Sequence, residues 1–130
     1  MIIYDCFTFY NEFDLLELRL RELSNLVDQF VIVEATRTFQ NQPKPLYFTE
    51  DINNPRWDPY QNKLIVVQVD DMPAEADAWA RERRQRNAIL TGVASARPDD
   101  IVMIGEVSHS FYLRWSFCMY GITSTIGKPW

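Results

Sequence analysis

Four short apolar runs constrain this chain more than any other feature. Ile2–Phe7, Phe30–Glu34, Leu64–Val69 and Ile101–Ile104 are rich in β-branched and aromatic residues, and they are continuous rather than alternating. A strand with one wet face alternates apolar and polar side chains, whereas a strand covered on both faces does not. The runs therefore predict a buried sheet with layers on either side.

Helical patterns fall between the runs. Asn11 is a suitable N-cap, with Glu12 and Asp14 in the first turn. Leu16, Leu20, Leu23 and Val27 then recur at spacings of four, three and four, and Leu15 and Leu18 widen the stripe. Residues 74–94 are rich in Ala, Glu, Arg and Gln, all compatible with a helix. Between the second and third runs, Pro43 and Pro45 argue for a polar loop, and Asn53-Asn54-Pro55 marks a turn. Strands alternating with helices imply parallel βαβ units. Ligands of such sheets bind outside the carboxyl ends of the strands. The sequence places Asp5, Glu34, Asp70, Asp71 and Glu106 at those ends. Acidic groups there suit a metal-bound phosphate or sugar hydroxyls, and equally suit water.

Composition narrows the function classes. The 130 residues, 47% hydrophobic and 14% aromatic, suit one folded domain spanning 1–130. A formal charge of -5 argues against nonspecific binding to nucleic acid or to an anionic membrane. No apolar run approaches the roughly 20 residues that cross a bilayer. The N-terminus lacks a basic segment and meets Asp5 early, so a cytoplasmic location is expected. Cys6 and Cys118 are distant in sequence and accompany a single histidine, His109, so a structural zinc site is not expected. No GxGxxG or GxxxxGK[ST] occurs among the four glycines, which removes the dinucleotide and P-loop readings.

Several segments, taken together and in order, resemble glycosyltransferase family 17. They are Tyr4-Asp5-Cys6-Phe7-Thr8-Phe9-Tyr10-Asn11-Glu12-Phe13-Asp14-Leu15-Leu16-Glu17, Phe30-Val31-Ile32-Val33-Glu34-Ala35 with Thr38-Phe39, and Lys44-Pro45-Leu46-Tyr47-Phe48. Trp79 through Arg86-Asn87-Ala88-Ile89 follows, and then Pro98-Asp99-Asp100-Ile101-Val102-Met103-Ile104. The resemblance implies an α/β, GT-A-like fold whose Rossmann-like half binds a nucleotide sugar. It also implies inverting transfer of N-acetylglucosamine from a UDP donor to a glycan acceptor. Asp5, Asn11, Glu12, Glu34, Arg86 and Asn87 are the positions it implies for the donor pocket. Each has a structural alternative: Asn11 as a helix cap, Glu34 as a solvated strand end, and Arg86 as part of a solvated basic helix face.

The resemblance also implies Mn²⁺ or Mg²⁺ held by an Asp-x-Asp motif after the fourth strand. This chain reads Glu106-Val107-Ser108-His109-Ser110 there. Glu106 can supply an oxygen ligand, but Ser108 and His109 do not restore the second carboxylate, so weakened metal binding is expected. Residues 1–104 carry the family-like core. Residues 105–130 diverge and resemble a segment that normally lies further downstream, which implies an incomplete acceptor-side half. A sheet edge left exposed in this way would favour self-association.

Overall fold

The computed structural model describes residues 1–38, 40–72, 77–106 and 116–118, with Glu106 and residues 116–118 described as backbone only. The four apolar runs become β1 (Ile3–Thr8), β2 (Gln29–Ala35), β3 (Leu64–Val69) and β4 (Ile101–Glu106). β1 pairs in parallel with both β2 and β4, and β2 pairs in parallel with β3. A short β5 (Ser116–Cys118) adds antiparallel to β4, giving the order β3-β2-β1-β4-β5.

Continuous apolar strands are explained by cover on both faces. On one face Phe7, Phe30, Ile32 and Met103 pack with Leu16 and Leu20 of α1 (Phe13–Leu23) and with Phe48 and Trp57. On the other, Cys6, Val31, Val33, Val67 and Ile104 pack with Ala88, Ile89 and Val93. This second layer is α3 (Ala78–Asn87) and α4 (Ile89–Gly92), with Asp77 capping α3 through the Ala80 amide at 2.9 Å. α4 approaches very closely: a Cβ on Gly92 would lie 2.3 Å from Val31 Cγ1. The lack of a side chain is what permits that packing.

The β2–β3 connection, expected as loop and turn, contains two helical pieces. They are α2 (Tyr47–Asp51) and a 3-10 segment (Pro55–Lys63). Asn54 caps the latter by accepting from the Arg56 amide at 3.1 Å, and Pro55 sits at its start, where a missing N–H does no harm. Arg56 bolts this segment to α1 through Glu17 at 2.7 Å and Asp14 at 3.0 Å. Lys63 donates to the carbonyls of Ser24 and Val27 beyond the C-terminus of α1.

Three sequence expectations need correction here. Leu15 and Leu18 do not widen the packed stripe of α1: both are more than a third exposed. Asn11 is not the cap, because the N-cap is Glu12, whose side chain turns back to the Tyr10 amide at 3.3 Å. Asp5 is not at the carboxyl end of β1 but within the strand, and it is fully buried. Its Oδ2 accepts from Arg19 Nε at 2.7 Å and its Oδ1 from Arg19 Nη2 at 2.6 Å. Arg19 also lies 4.3 Å from the Phe7 ring centroid. Burial pushes the Asp5 carboxyl up, against the downward pull of Arg19.

Removing one partner of such a pair strands a buried charge, whereas removing both does not. Arg19→Met is expected to destabilise the fold by about 3–5 kcal/mol. Asp5→Val combined with Arg19→Met should recover most of that loss. Urea denaturation of the two variants checks both values, and a double variant as unstable as the single one would refute the ion-pair account.

Candidate functional site

The strand order reverses between β1 and β4, so the crevice outside their carboxyl ends is where a sheet of this kind receives a ligand. Thr8 and Glu106 pair across that point. The loop leaving β1, Phe9 to Glu12, stays close to β2, because the Phe9 amide donates to the Val33 carbonyl at 2.9 Å.

Beyond β2 the chain turns into a small hairpin. Lys44 donates its amide to the Thr36 carbonyl at 2.9 Å, Gln42 accepts from the Thr38 amide at 2.8 Å, and Arg37 and Pro43 form a bridge. Asn41 closes the turn at a φ of 63°, a left-handed conformation that Asn tolerates better than most residues. The hairpin returns the chain to the carboxyl edge, where Glu34 anchors it. Glu34 is fully buried; its Oε1 accepts from the Phe48 amide at 2.6 Å, and its Oε2 from the Thr49 amide at 2.9 Å and hydroxyl at 2.8 Å. The carboxylate thereby supplies the acceptor that the first turn of α2 lacks.

Lys44 stands over this anchor. Its Nζ is 5.3 Å from the Tyr10 ring centroid and 5.7 Å from that of Tyr47. Burial pulls its ammonium below the ordinary lysine value, while Glu34 and Glu12 pull it back up. Glu12 and Glu34 thus both act on the Lys44 ammonium, and Asn11, next to Glu12, is exposed. Tyr10, Lys44 and Tyr47 carried no role in the residue-level reading and entered only through the family motifs. A lysine in a proline-bearing loop between two tyrosines was the available signal.

The remaining candidates lie apart. Arg86 is held by Glu82 at 3.0 Å, and Asn87 is exposed at the end of α3, on the opposite face from α1. Neither side chain bonds to the loop after β1 or to the hairpin. The buried polar residue of that helix facing β2 is Gln85, whose Nε2 donates to the Val33 carbonyl at 3.4 Å. Asp71, after β3, accepts from Arg84 at 2.8 Å.

The backbone of Glu106 stands at the carboxyl edge, as a metal ligand there would require, and Ser108 and His109 lie outside the described residues. Among the described residues no three His, Cys, Asp or Glu side chains gather as a metal site. Also among the described residues, no helix is long and apolar enough to cross a membrane. Trp115, Tyr112 and Tyr120 lie outside them, as does the side chain of Phe117.

A cavity of about 430 Å³ opens at the other edge of the sheet, lined by Ile2, Arg97 and Asp100 among others. Asp100 is occupied there by the amides of Arg97 at 2.7 Å and Ile2 at 2.8 Å, which hold its carboxyl below the usual range. These bonds give it the turn role its sequence position suggests, and the cavity is remote from the strand ends that define the site.

A mostly parallel sheet, covered on both faces and with its order reversing between β1 and β4, defines a Rossmann-like α/β protein, consistent with a GT-A-like architecture. The chain belongs to glycosyltransferase family 17, whose sequence profile matches residues 1–110. It is 31% identical over 102 residues to the beta-1,4-mannosyl-glycoprotein 4-beta-N-acetylglucosaminyltransferases of Homo sapiens and Rattus norvegicus. The Mus musculus protein of the same name is 30% identical over 102 residues. Each match covers 74% of this chain and 19% of the relative, so the chain spans a small part of the curated proteins it resembles. No solved structure matches the chain significantly.

Glu34→Ala would leave the Phe48 and Thr49 donors without their charged acceptor. A loss of about 1–3 kcal/mol is expected in chemical denaturation, with faster amide exchange at Phe48 and Thr49 before global unfolding. Unchanged exchange at these amides would contradict the anchoring role.

Proposed function

We propose that this chain forms the nucleotide-sugar-binding part of a glycosyltransferase and takes UDP-N-acetylglucosamine as donor, for inverting transfer to a glycan hydroxyl. Membership of the family across residues 1–110 carries this reading. The name shared by the mammalian relatives supports the choice of sugar. The donor would lie along the carboxyl edge, between the Tyr10–Glu12 loop, the Thr36–Lys44 hairpin and the end of β4. Asn11 and Glu12 are the exposed and half-exposed polar groups of that wall, suited to sugar or ribose hydroxyls. Glu34 shapes the wall from behind by fixing α2.

Inverting transfer needs a carboxylate base beside the acceptor hydroxyl and stabilisation of charge on the leaving diphosphate. A divalent ion at the Glu106 segment would supply the second when bound. The residues described here bind and orient the donor, and none is assigned as base.

A second reading, donor binding without transfer, is favoured by Glu106-Val107-Ser108-His109, where a second carboxylate is absent from the sequence. Thermal melting with UDP-N-acetylglucosamine, with and without Mn²⁺, tests both. A donor at a hundred times its dissociation constant adds roughly 2.7 kcal/mol of stability, a rise of about several degrees for a domain of this size. A rise with donor is expected, and no rise from a cooperatively melting protein would overturn both readings. Mn²⁺ dependence together with measured transfer to a glycan supports catalysis. A metal-independent rise without transfer supports binding alone, and Ser108→Asp with His109→Glu should then add Mn²⁺ dependence to the shift.

A further inference from the structure

The Lys44 ammonium is a buried charged group with no structural task that accounts for it. Its Nζ is sealed from solvent and has no hydrogen-bond acceptor among the described residues. The carboxylates whose fields reach it are Glu34 and Glu12. Glu34 is taken up by Phe48 and Thr49, and Glu12 Oε2 by the Tyr10 amide. An ammonium offers three donors and no acceptor, and keeping such a group from water without a partner is unfavourable. The faces of Tyr10 and Tyr47 compensate in part.

We propose that Lys44 and Tyr10 form the nucleobase subsite of the donor pocket, with the ammonium donating to a ring carbonyl oxygen of a pyrimidine and the Tyr10 ring stacking on the base. The inference rests on the nucleotide-sugar reading above. Placement supports it first: Lys44 is fixed at the root of the hairpin after β2, and Tyr10 belongs to the loop after β1. Both therefore stand at the edge where a ligand enters. Exposure supports it next. Tyr10 is 40% exposed and its ring centroid is 5.5 Å from that of Tyr47. Together with Tyr47 it covers Lys44, and rotation of the Tyr10 ring would open the ammonium and offer a face for stacking.

Charge decides the kind of ligand atom. Glu34 and Glu12 already set two carboxylates against this one ammonium. A phosphate would be repelled there, whereas a neutral carbonyl accepts from the lysine without adding charge. The diphosphate is thereby assigned to another part of the edge.

Uridine and UDP separate the alternatives, with binding measured calorimetrically on the full chain. Lys44→Met should weaken both ligands alike, by about tenfold or more. Its melting temperature without ligand should not fall, because an apolar chain replaces an unpartnered cation. A loss confined to UDP would mean that the lysine meets phosphate and would overturn the assignment, as would unchanged affinity for both. If Lys44→Met does not fold, Tyr10→Leu decides: weakened uridine binding supports the subsite and unchanged binding refutes it. Failure of the wild-type chain to bind either ligand would remove the donor reading itself, and this inference with it.

Discussion

At the centre of the sheet a carboxylate and a guanidinium are sealed from water together. Asp5 on β1 and Arg19 on α1 make two short hydrogen bonds, and neither side chain is exposed. The pair adds little net stability over an apolar contact, but either charge alone would be strongly unfavourable. It therefore acts as a registration device: α1 sits on β1 only where the fork meets the carboxylate. Much of the candidate site inherits that placement. The loop between β1 and α1 carries Tyr10, Asn11 and Glu12, and both of its ends are fixed by the same contact. The 3-10 segment is in turn ion-paired to α1 through Arg56.

The edge above is built by the same economy of polar groups. Glu34 has no free oxygen, because α2 uses both. Lys44 is drawn toward Glu34 and Glu12 without bonding to either. The result is a wall with a rigid base in β2 and α2 and an aromatic rim in Tyr10 and Tyr47. The rim is the part with room to adjust.

The strands were legible in the sequence because burial on both faces leaves an uninterrupted apolar record. Leu64–Val69 was read with its observed ends, and the other three parallel strands within two residues. Helices were legible by period but not by depth. Arg19 occupies the packed stripe of α1 while Leu15 and Leu18 face solvent, since a charge with a buried partner is compatible with a core position that residue type alone argues against. Asp5 and Glu34 were read as edge groups awaiting a ligand. Their partners lie 14 or 15 residues away, and no local spacing announces such pairs. The prolines of the β2–β3 connection concealed α2 and the 3-10 segment, because Pro55 stands where a helical turn can start rather than end. The site was legible as an edge and as a family motif. The lysine at its centre was not, because its environment is assembled from two loops brought together by the sheet.

Gly92 sets a mechanical condition on the opposite layer. With no room for even a methyl group between α4 and Val31, the helix pair meets the sheet closely at the end remote from the candidate site. From there α4 and then α3 lead back along the sheet from Gly92 to Ala78. Gln85 and Arg84 tie the same layer to Val33 and Asp71 further along. Any side chain at position 92 would therefore push α4 away from Val31, and α3 with it.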